Sequence, residues 1–171
     1  MKAWTVTGRR HAALVAFVLM CGVLALDVAH YLPLVPDPLA SHFGFSGRPN
    51  GWTSHFRMIA GLAVLILLFA AIFAATFFFG RVPDRLISLP HKTYWLAPER
   101  REATLLYLSA WLRWFLVLTL AFVTLVVGLT LRANLRTPPH LSPAALGVLI
   151  LYLVAALTMV VTLIMRLHRS T

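Results

Sequence analysis

Residues 143–165 read PAALGVLILYLVAALTMVVTLIM, and no charged side chain interrupts them. A helix of about 20 apolar residues crosses the ~30 Å hydrocarbon core of a bilayer, so this stretch is long enough to span a membrane. Ser142 and Pro143 suit an N-cap followed by a first helical turn, and Arg166 and His168 follow the stretch. These features predict a transmembrane helix.

Three similar apolar blocks precede this one, at residues 11–32, 56–80 and 105–131. Each block is continuous, whereas the strands of a membrane barrel alternate polar and apolar side chains. The first block follows basic residues as a signal peptide would, but it is long enough to span. We therefore predict one all-α integral membrane domain over residues 1–171, a four-helix transmembrane bundle. A structured outer loop is predicted at residues 33–55 and an inner loop at residues 81–104.

The composition supports the membrane class. Sixty per cent of the residues are hydrophobic and 12% are charged, which is about half the charged fraction of a soluble domain. The net charge of +10 could indicate nucleic-acid binding, but the cations stand at the edges of the apolar blocks and form no basic helix. Cations at helix ends contact lipid headgroups. We therefore expect the lipid bilayer, and no nucleic acid, as a partner.

Lys and Arg are distributed unevenly between the two ends of the blocks. Ten lie in the two terminal tails and in residues 81–104, whereas four flank the opposite ends: Arg48, Arg57, Arg132 and Arg136. Cytoplasmic loops carry the excess of cations in membrane proteins. The count predicts a multi-pass protein of the inner (plasma) membrane with both termini in the cytoplasm.

The outer loop is rich in residues that fix turns, with prolines at four positions between residues 33 and 49 and glycines at 44, 47 and 51. It also contains Phe43, Phe45 and Trp52, which are costly in a loop unless they pack or lie among headgroups. This composition predicts a compact cap on the outer surface of the bundle.

Both loops carry a family resemblance. The outer-loop residues concerned are Pro36, Asp37, His42, Phe43, Gly47, Pro49, Gly51 and Ser54, and the inner-loop stretch is residues 89–101, LPHKTYWLAPERR. Together they resemble the bacterial domain-of-unknown-function 1648 family, which includes the N-terminal part of SdpI-type membrane proteins. The resemblance implies a role in immunity to a secreted toxin or in signalling.

Two polar residues within the apolar blocks are candidates for function. Asp27 is costly in an apolar helix unless it is paired or hydrated. By depth along the helices it should pair with His30, Arg48, Arg57 or Arg132 near the outer interface rather than with Arg113. A ligand or proton site is the alternative for Asp27. Arg113 stands among aromatic residues, so we expect it to reach the headgroups, with an anionic-lipid pocket as the alternative.

Four side chains could form a zinc site: Asp27, His30, His42 and His55. Asp27 and His30 share one helix face, and two histidines with one carboxylate suit zinc. For His42, the alternatives are a hydrogen-bonding post for the loop and a proton-sensitive switch. We therefore expect no cofactor, with zinc as the exception to test.

The remaining candidates are for partner binding. In and near the outer loop they are Asp27, His30, His42, Phe43, Gly47, Pro49 and Gly51, and on the inner side they are Trp95, Arg100 and Arg113. The chain has no phosphate-binding glycine loop, nucleophile elbow or zinc-ribbon spacing. We therefore expect a non-enzymatic accessory, sensor or immunity-type protein that binds a protein or peptide through the outer loop. The alternatives are a small transporter or channel subunit that uses Asp27, and a metal-dependent membrane enzyme.

Overall fold

A computed structural model describes residues 3–168, with side chains from residue 11 onward. Among the cations that orient the chain, Lys2 and Arg169 lie outside the described residues, as do the side chains of Arg9 and Arg10. Five helices and two strands follow one another as α1 (Ala3–Tyr31), β1 (Leu39–Phe43), β2 (Pro49–Thr53), α2 (His55–Ala75), α3 (Lys92–Trp95), α4 (Pro98–Ala133) and α5 (Ala144–His168).

Four of these helices are long and apolar enough to cross a membrane, among the residues that the structure describes. They overlap the four predicted blocks, and the mostly helical fold is consistent with an all-α membrane protein. The prediction missed β1 and β2, which pair antiparallel between α1 and α2. Their register is irregular, and neither LASHF nor PNGWT alternates polar and apolar residues, so the period that identifies a strand is absent from the sequence.

Two helix boundaries differ from the predicted blocks. The helix predicted at residues 105–131 begins at Pro98. The prediction began later because the first two turns are polar and lie outside the apolar block. The helix predicted at residues 56–80 ends at Ala75, and a 3₁₀ segment, Thr76–Arg81, continues the chain. The Thr76 hydroxyl donates to the Phe73 carbonyl at 2.6 Å, a local bond that competes with regular helix.

Helix α4 is the central element of the bundle. Its buried side chains include Leu116, Val117 and Leu120, which form one core with Phe17 of α1 and Phe73 of α2. Helix α5 contacts α4 but buries only its Leu167 among the described residues, so most of its apolar surface is exposed. Such a surface is stable against lipid rather than water.

The chain alternates between two ends of the bundle. One end, the hairpin end, carries β1, β2 and the residues that join α4 to α5. At the opposite end, the far end, the Trp95 indole N–H donates to the Leu167 carbonyl at 3.0 Å. A second core of Ile87, Leu96 and Leu105 packs the connection between α2 and α4 at this end.

Candidate functional site

The hairpin formed by β1 and β2 gathers five of the residues that the sequence predicted for partner binding. His42 pairs with Gly51, and Phe43 pairs with Pro49, across the two strands. Gly47 lies in the turn between the strands. Five of the eight residues of the outer-loop resemblance therefore lie in one hairpin.

Gly47 allows the hairpin to dock on the residues that join α4 to α5. Its φ is +75°, and a Cβ there would lie 2.6 Å from His140 Cε1 and 2.8 Å from the Leu141 oxygen. The Leu141 N–H donates to the Gly47 carbonyl at 2.9 Å. Gly47 is thus required both by its left-handed conformation and by the close approach of the neighbouring chain.

Asn134 at the end of α4 fixes the other side of the hairpin. Its side-chain oxygen accepts from the Ala40 N–H at 2.7 Å, and its amide donates to the carbonyls of Ala40 at 2.8 Å and Thr130 at 2.9 Å. Asn134 is only 4% exposed. Sequence reasoning missed this residue, because its only signal was a polar amide just after an apolar block.

Asp27 pairs with Arg132, one of the partners expected from helix depth. The carboxylate and the guanidinium are 3.4 Å apart, and Arg132 also lies 4.8 Å from the Tyr31 ring centroid. A Cβ on Gly128 would lie 2.8 Å from the Asp27 carboxylate, so the missing side chain leaves room for this contact. The pair joins the end of α1 to the end of α4 beside the hairpin.

The candidate metal ligands are not brought together. His55 contacts the Pro36 carbonyl at 3.1 Å, His42 contacts the Ser41 hydroxyl at 3.0 Å, and the His30 ring packs against Tyr31. Among the described residues, no three His, Cys, Asp or Glu side chains are grouped as metal ligands. In this structure Asp27 and these histidines therefore have separate surroundings.

Several large or charged side chains of the hairpin end are exposed. Phe45 in the turn is fully exposed and Trp52 on β2 is 53% exposed. Arg48, Arg57 and Arg136, which belong to the same end of the bundle, are also exposed. The hairpin end thus exposes both aromatic rings and arginine side chains.

Trp95 and Arg100 lie apart from the hairpin, at the far end. Trp95 holds the end of α5 through Leu167, and the Arg100 guanidinium stacks 4.1 Å from the Tyr94 ring centroid. These contacts assign Trp95 a structural role in joining α3 to α5. They leave Arg100 exposed at the beginning of α4.

Arg113 corrects an expectation from the sequence. It does not extend to the edge of the bundle but is 1% exposed in the interior. Its guanidinium donates to the hydroxyls of Thr76 and Ser109, at 3.2 Å each, and lies 5.2 Å from the Phe77 ring centroid. The face of α4 that carries Arg113 turns toward α2 and the 3₁₀ segment, and these neighbours are not visible from position along the helix alone.

A cavity of about 410 Å³ opens beside Arg113, between the 3₁₀ segment and the first half of α4. We call it the far-end cavity. Its lining residues are Thr76, Phe77, Phe79, Gly80, Arg101, Glu102, Leu105, Leu106 and Ser109. Only Arg101 among these lies in a stretch singled out from the sequence, because the cavity depends on how the 3₁₀ segment turns back onto α4.

Comparison with known proteins gives a family match for the segment that contains the hairpin. Residues 17–67 match the family described as Domain of unknown function (DUF1648). No curated protein and no solved structure matches the chain. The match covers most of α1, the whole hairpin and the first half of α2. The segment that contains the hairpin is therefore similar to the DUF1648 family, as its His-Phe pair and its Gly-Pro-rich turn predicted.

Proposed function

We propose that this protein is a non-enzymatic, multi-pass membrane protein that binds a protein or peptide partner through the exposed side chains of the hairpin. The observation that carries the proposal is that buried contacts hold the hairpin in place while part of its surface stays exposed. Buried Asn134 and the Gly47–Leu141 contact hold the hairpin, while Phe45 and Trp52 remain exposed. A binding surface that is held in place before contact loses less conformational entropy on association.

The chemistry of the surface favours a partner with acidic and apolar residues. Aromatic and arginine side chains are enriched among the residues that dominate binding energy. Arg48, Arg57 and Arg136 are exposed near the aromatic side chains, so acidic groups on a partner would be attracted to the hairpin end. Immunity to a secreted peptide, which the family resemblance implies, would be one function of this type.

The orientation belongs to the same proposal. The excess of Lys and Arg in the tails and in residues 81–104 supports a cytoplasmic far end. The hairpin would then face outward from the plasma membrane, where it could meet a secreted or membrane-bound partner.

Two other functions receive less support. Transport through Asp27 would require the carboxylate to line a path through the bundle, but Asp27 pairs with Arg132 beside the hairpin and does not line the far-end cavity. A metal-dependent enzyme would require grouped ligands, and the described histidines contact other groups.

Photo-crosslinking in the native membrane tests the partner proposal. Benzoylphenylalanine would replace Phe45 in the hairpin and, as a matched control, Phe78 at the far end, which is 56% exposed. We expect position 45 to give one discrete protein adduct that is lost when Arg48→Glu is added, and position 78 not to give that adduct. Only lipid adducts from position 45 would overturn the proposal and make the hairpin a headgroup anchor.

Native mass spectrometry of the gently solubilised protein provides a second measurement. We expect a stoichiometric partner on the wild-type chain and its loss from Phe45→Ala, with an unchanged thermal unfolding midpoint because Phe45 buries no surface. A partner retained equally by Phe45→Ala and by Trp52→Ala would contradict binding through the hairpin.

A further inference from the structure

The far-end cavity has features of a ligand site that the proposed function does not use. Its volume of about 410 Å³ lies within the range of small-molecule sites. It lies on the opposite end of the bundle from the hairpin, where α4 passes from its polar first turns to its apolar block. A cavity at such a boundary lies level with lipid headgroups.

The buried Arg113 guanidinium polarises the hydroxyl groups at the floor of the cavity. Thr76 and Ser109 line it, and both hydroxyl oxygens accept from the buried Arg113 guanidinium. Arginine remains charged in proteins, and a charge in a low-dielectric interior acts over a longer distance than in water. Each hydroxyl donates to a backbone carbonyl of its own segment. Rotation of either hydroxyl would let it donate to an anion in the cavity while it still accepts from Arg113.

The rim adds a second, fixed guanidinium. Arg101 donates to Asp84 at 2.8 Å, to the Gly80 carbonyl at 3.2 Å and to the Val82 carbonyl at 2.8 Å. These bonds hold the side chain in position and use three of the five N–H groups of a guanidinium. The remaining N–H groups of Arg101 are available to a phosphate, a group for which arginine is well suited.

Glu102 gives the rim an acid beside these cations. Its side chain is exposed and lines the cavity next to Arg101. A bare phosphate would be repelled by this carboxylate, whereas a phosphate that carries an ammonium group would satisfy both charges. Phe77, Phe79 and Leu106 supply an apolar wall for the rest of an amphipathic molecule.

From this lining, we propose that the far-end cavity binds a phosphoethanolamine group, with the phosphate at Arg101 and the polarised floor and the ammonium at Glu102. The group could belong to a membrane phospholipid or to a soluble metabolite, because both carry the same charges. The site is independent of the hairpin, so its test and the partner test can fail separately.

Lipid titration of the purified, delipidated full-length chain, followed by native mass spectrometry, tests the site. We expect phosphatidylethanolamine to bind at least about tenfold more tightly than phosphatidylglycerol, which lacks the ammonium group. Glu102→Gln should remove this preference, because it weakens phosphatidylethanolamine binding and relieves the repulsion of phosphatidylglycerol. Because Glu102 is exposed, this variant should keep the wild-type thermal unfolding midpoint.

A blocking variant tests the place of binding. A Cβ on Gly80 meets nothing within 4 Å, so Gly80→Leu should enter the cavity without a clash. We expect it to lower phosphatidylethanolamine affinity about tenfold or more, whereas the matched variant Gly61→Leu on α2, which also meets nothing, should not. Equal affinity for the two lipids, or equal binding by wild type and Gly80→Leu, would overturn the proposal.

Competition with soluble phosphoethanolamine distinguishes the two sources. Displacement of the lipid by the soluble compound in nanodiscs of phosphatidylcholine and phosphatidylethanolamine would assign the site to a free metabolite. Retention of the lipid in the presence of excess soluble compound would assign it to the membrane. Either result supports the recognition of the shared group, provided that Gly80→Leu abolishes the binding.

Discussion

At the residue scale, Gly47 is the position where a single methyl group should have the largest effect on the hairpin. Gly47→Ala would combine a φ of +75° with a Cβ placed 2.8 Å from the backbone oxygen of Leu141. We expect the free energy of unfolding to fall by about 2 kcal/mol or more, from the strained conformation and the displaced backbone. Chemical unfolding in detergent would measure the change.

Gly44→Ala is the matched control for this prediction. It lies in the same turn region, but its Cβ would have no neighbour closer than 3.9 Å, which is ordinary contact. We expect it to change stability by less than about 0.5 kcal/mol. Equal losses in the two alanine variants would show that the hairpin does not dock on Leu141 through Gly47.

Residue-level prediction from sequence succeeded where chemistry is local. Ser54 caps α2 by accepting from the Arg57 N–H, and a serine just before an apolar block is a local sequence signal for such a cap. Helix depth limited the expected partners of Asp27 to four residues, one of which is the observed partner Arg132, because depth depends only on the rise per residue. The placement of Arg113 was wrong, although Ser109, Arg113 and Leu116 recur on one buried helical face. The depth of Arg113 along α4 predicted its level in the bundle but not the direction of its side chain. The helical period of the polar and apolar residues on α4 was the signal for the buried face, and it was overlooked.

At the element scale, Asn134 makes the hairpin and α4 one unit. Asn134→Ala would remove its three side-chain hydrogen bonds and leave the Ala40 N–H and carbonyl buried without them. Buried polar groups without partners cost about 1–3 kcal/mol each, so we expect a total loss of about 2–4 kcal/mol. Hydrogen exchange of the Ala40 amide should accelerate correspondingly.

Asn50→Ala provides the control for the hairpin. Asn50 lies on β2 and is exposed, so its substitution should leave the exchange of the Ala40 amide unchanged. If Asn134→Ala also leaves that exchange unchanged, the hairpin is held by contacts other than this amide. Asn134→Ala should also weaken partner binding, because it loosens the attachment of the hairpin that carries Phe45 without altering that side chain.

The elements themselves were predictable to different degrees. Long apolar blocks predicted the four long helices, because spanning a bilayer requires continuous hydrophobicity. The strands β1 and β2 were not predicted, since PNGWT has the composition of a turn and its pairing is interrupted by register shifts. Their extended conformation depends on Asn134 and Leu141, which are distant in sequence. Tertiary contacts of this kind override local propensity.

At the scale of the whole molecule, the two ends of the bundle differ in charge as well as in structure. Among the residues whose side chains the structure describes, the far end carries six Lys and Arg residues (Arg81, Arg85, Lys92, Arg100, Arg101 and Arg166) and the hairpin end carries four (Arg48, Arg57, Arg132 and Arg136). The contacts of Asp27 with Arg132 and of Trp95 with Leu167 place the helix ends in two separate groups, as an alternating path through a membrane requires. We propose that this charge bias orients the molecule in the membrane.

Cysteine labelling in intact cells tests that orientation. The chain has a single cysteine, Cys21, so Cys21→Ala gives a background without thiols. Ser46→Cys in the hairpin turn and Ser88→Cys at the far end replace exposed serines with side chains of similar size. We expect a membrane-impermeant maleimide to label position 46 in intact cells and position 88 only after permeabilisation, because the cation-rich end should remain in the cytoplasm. Labelling of position 88 alone in intact cells would show that the protein has the opposite orientation in the membrane. The hairpin would then meet a cytoplasmic partner, and the far-end cavity would face the headgroups of the outer leaflet.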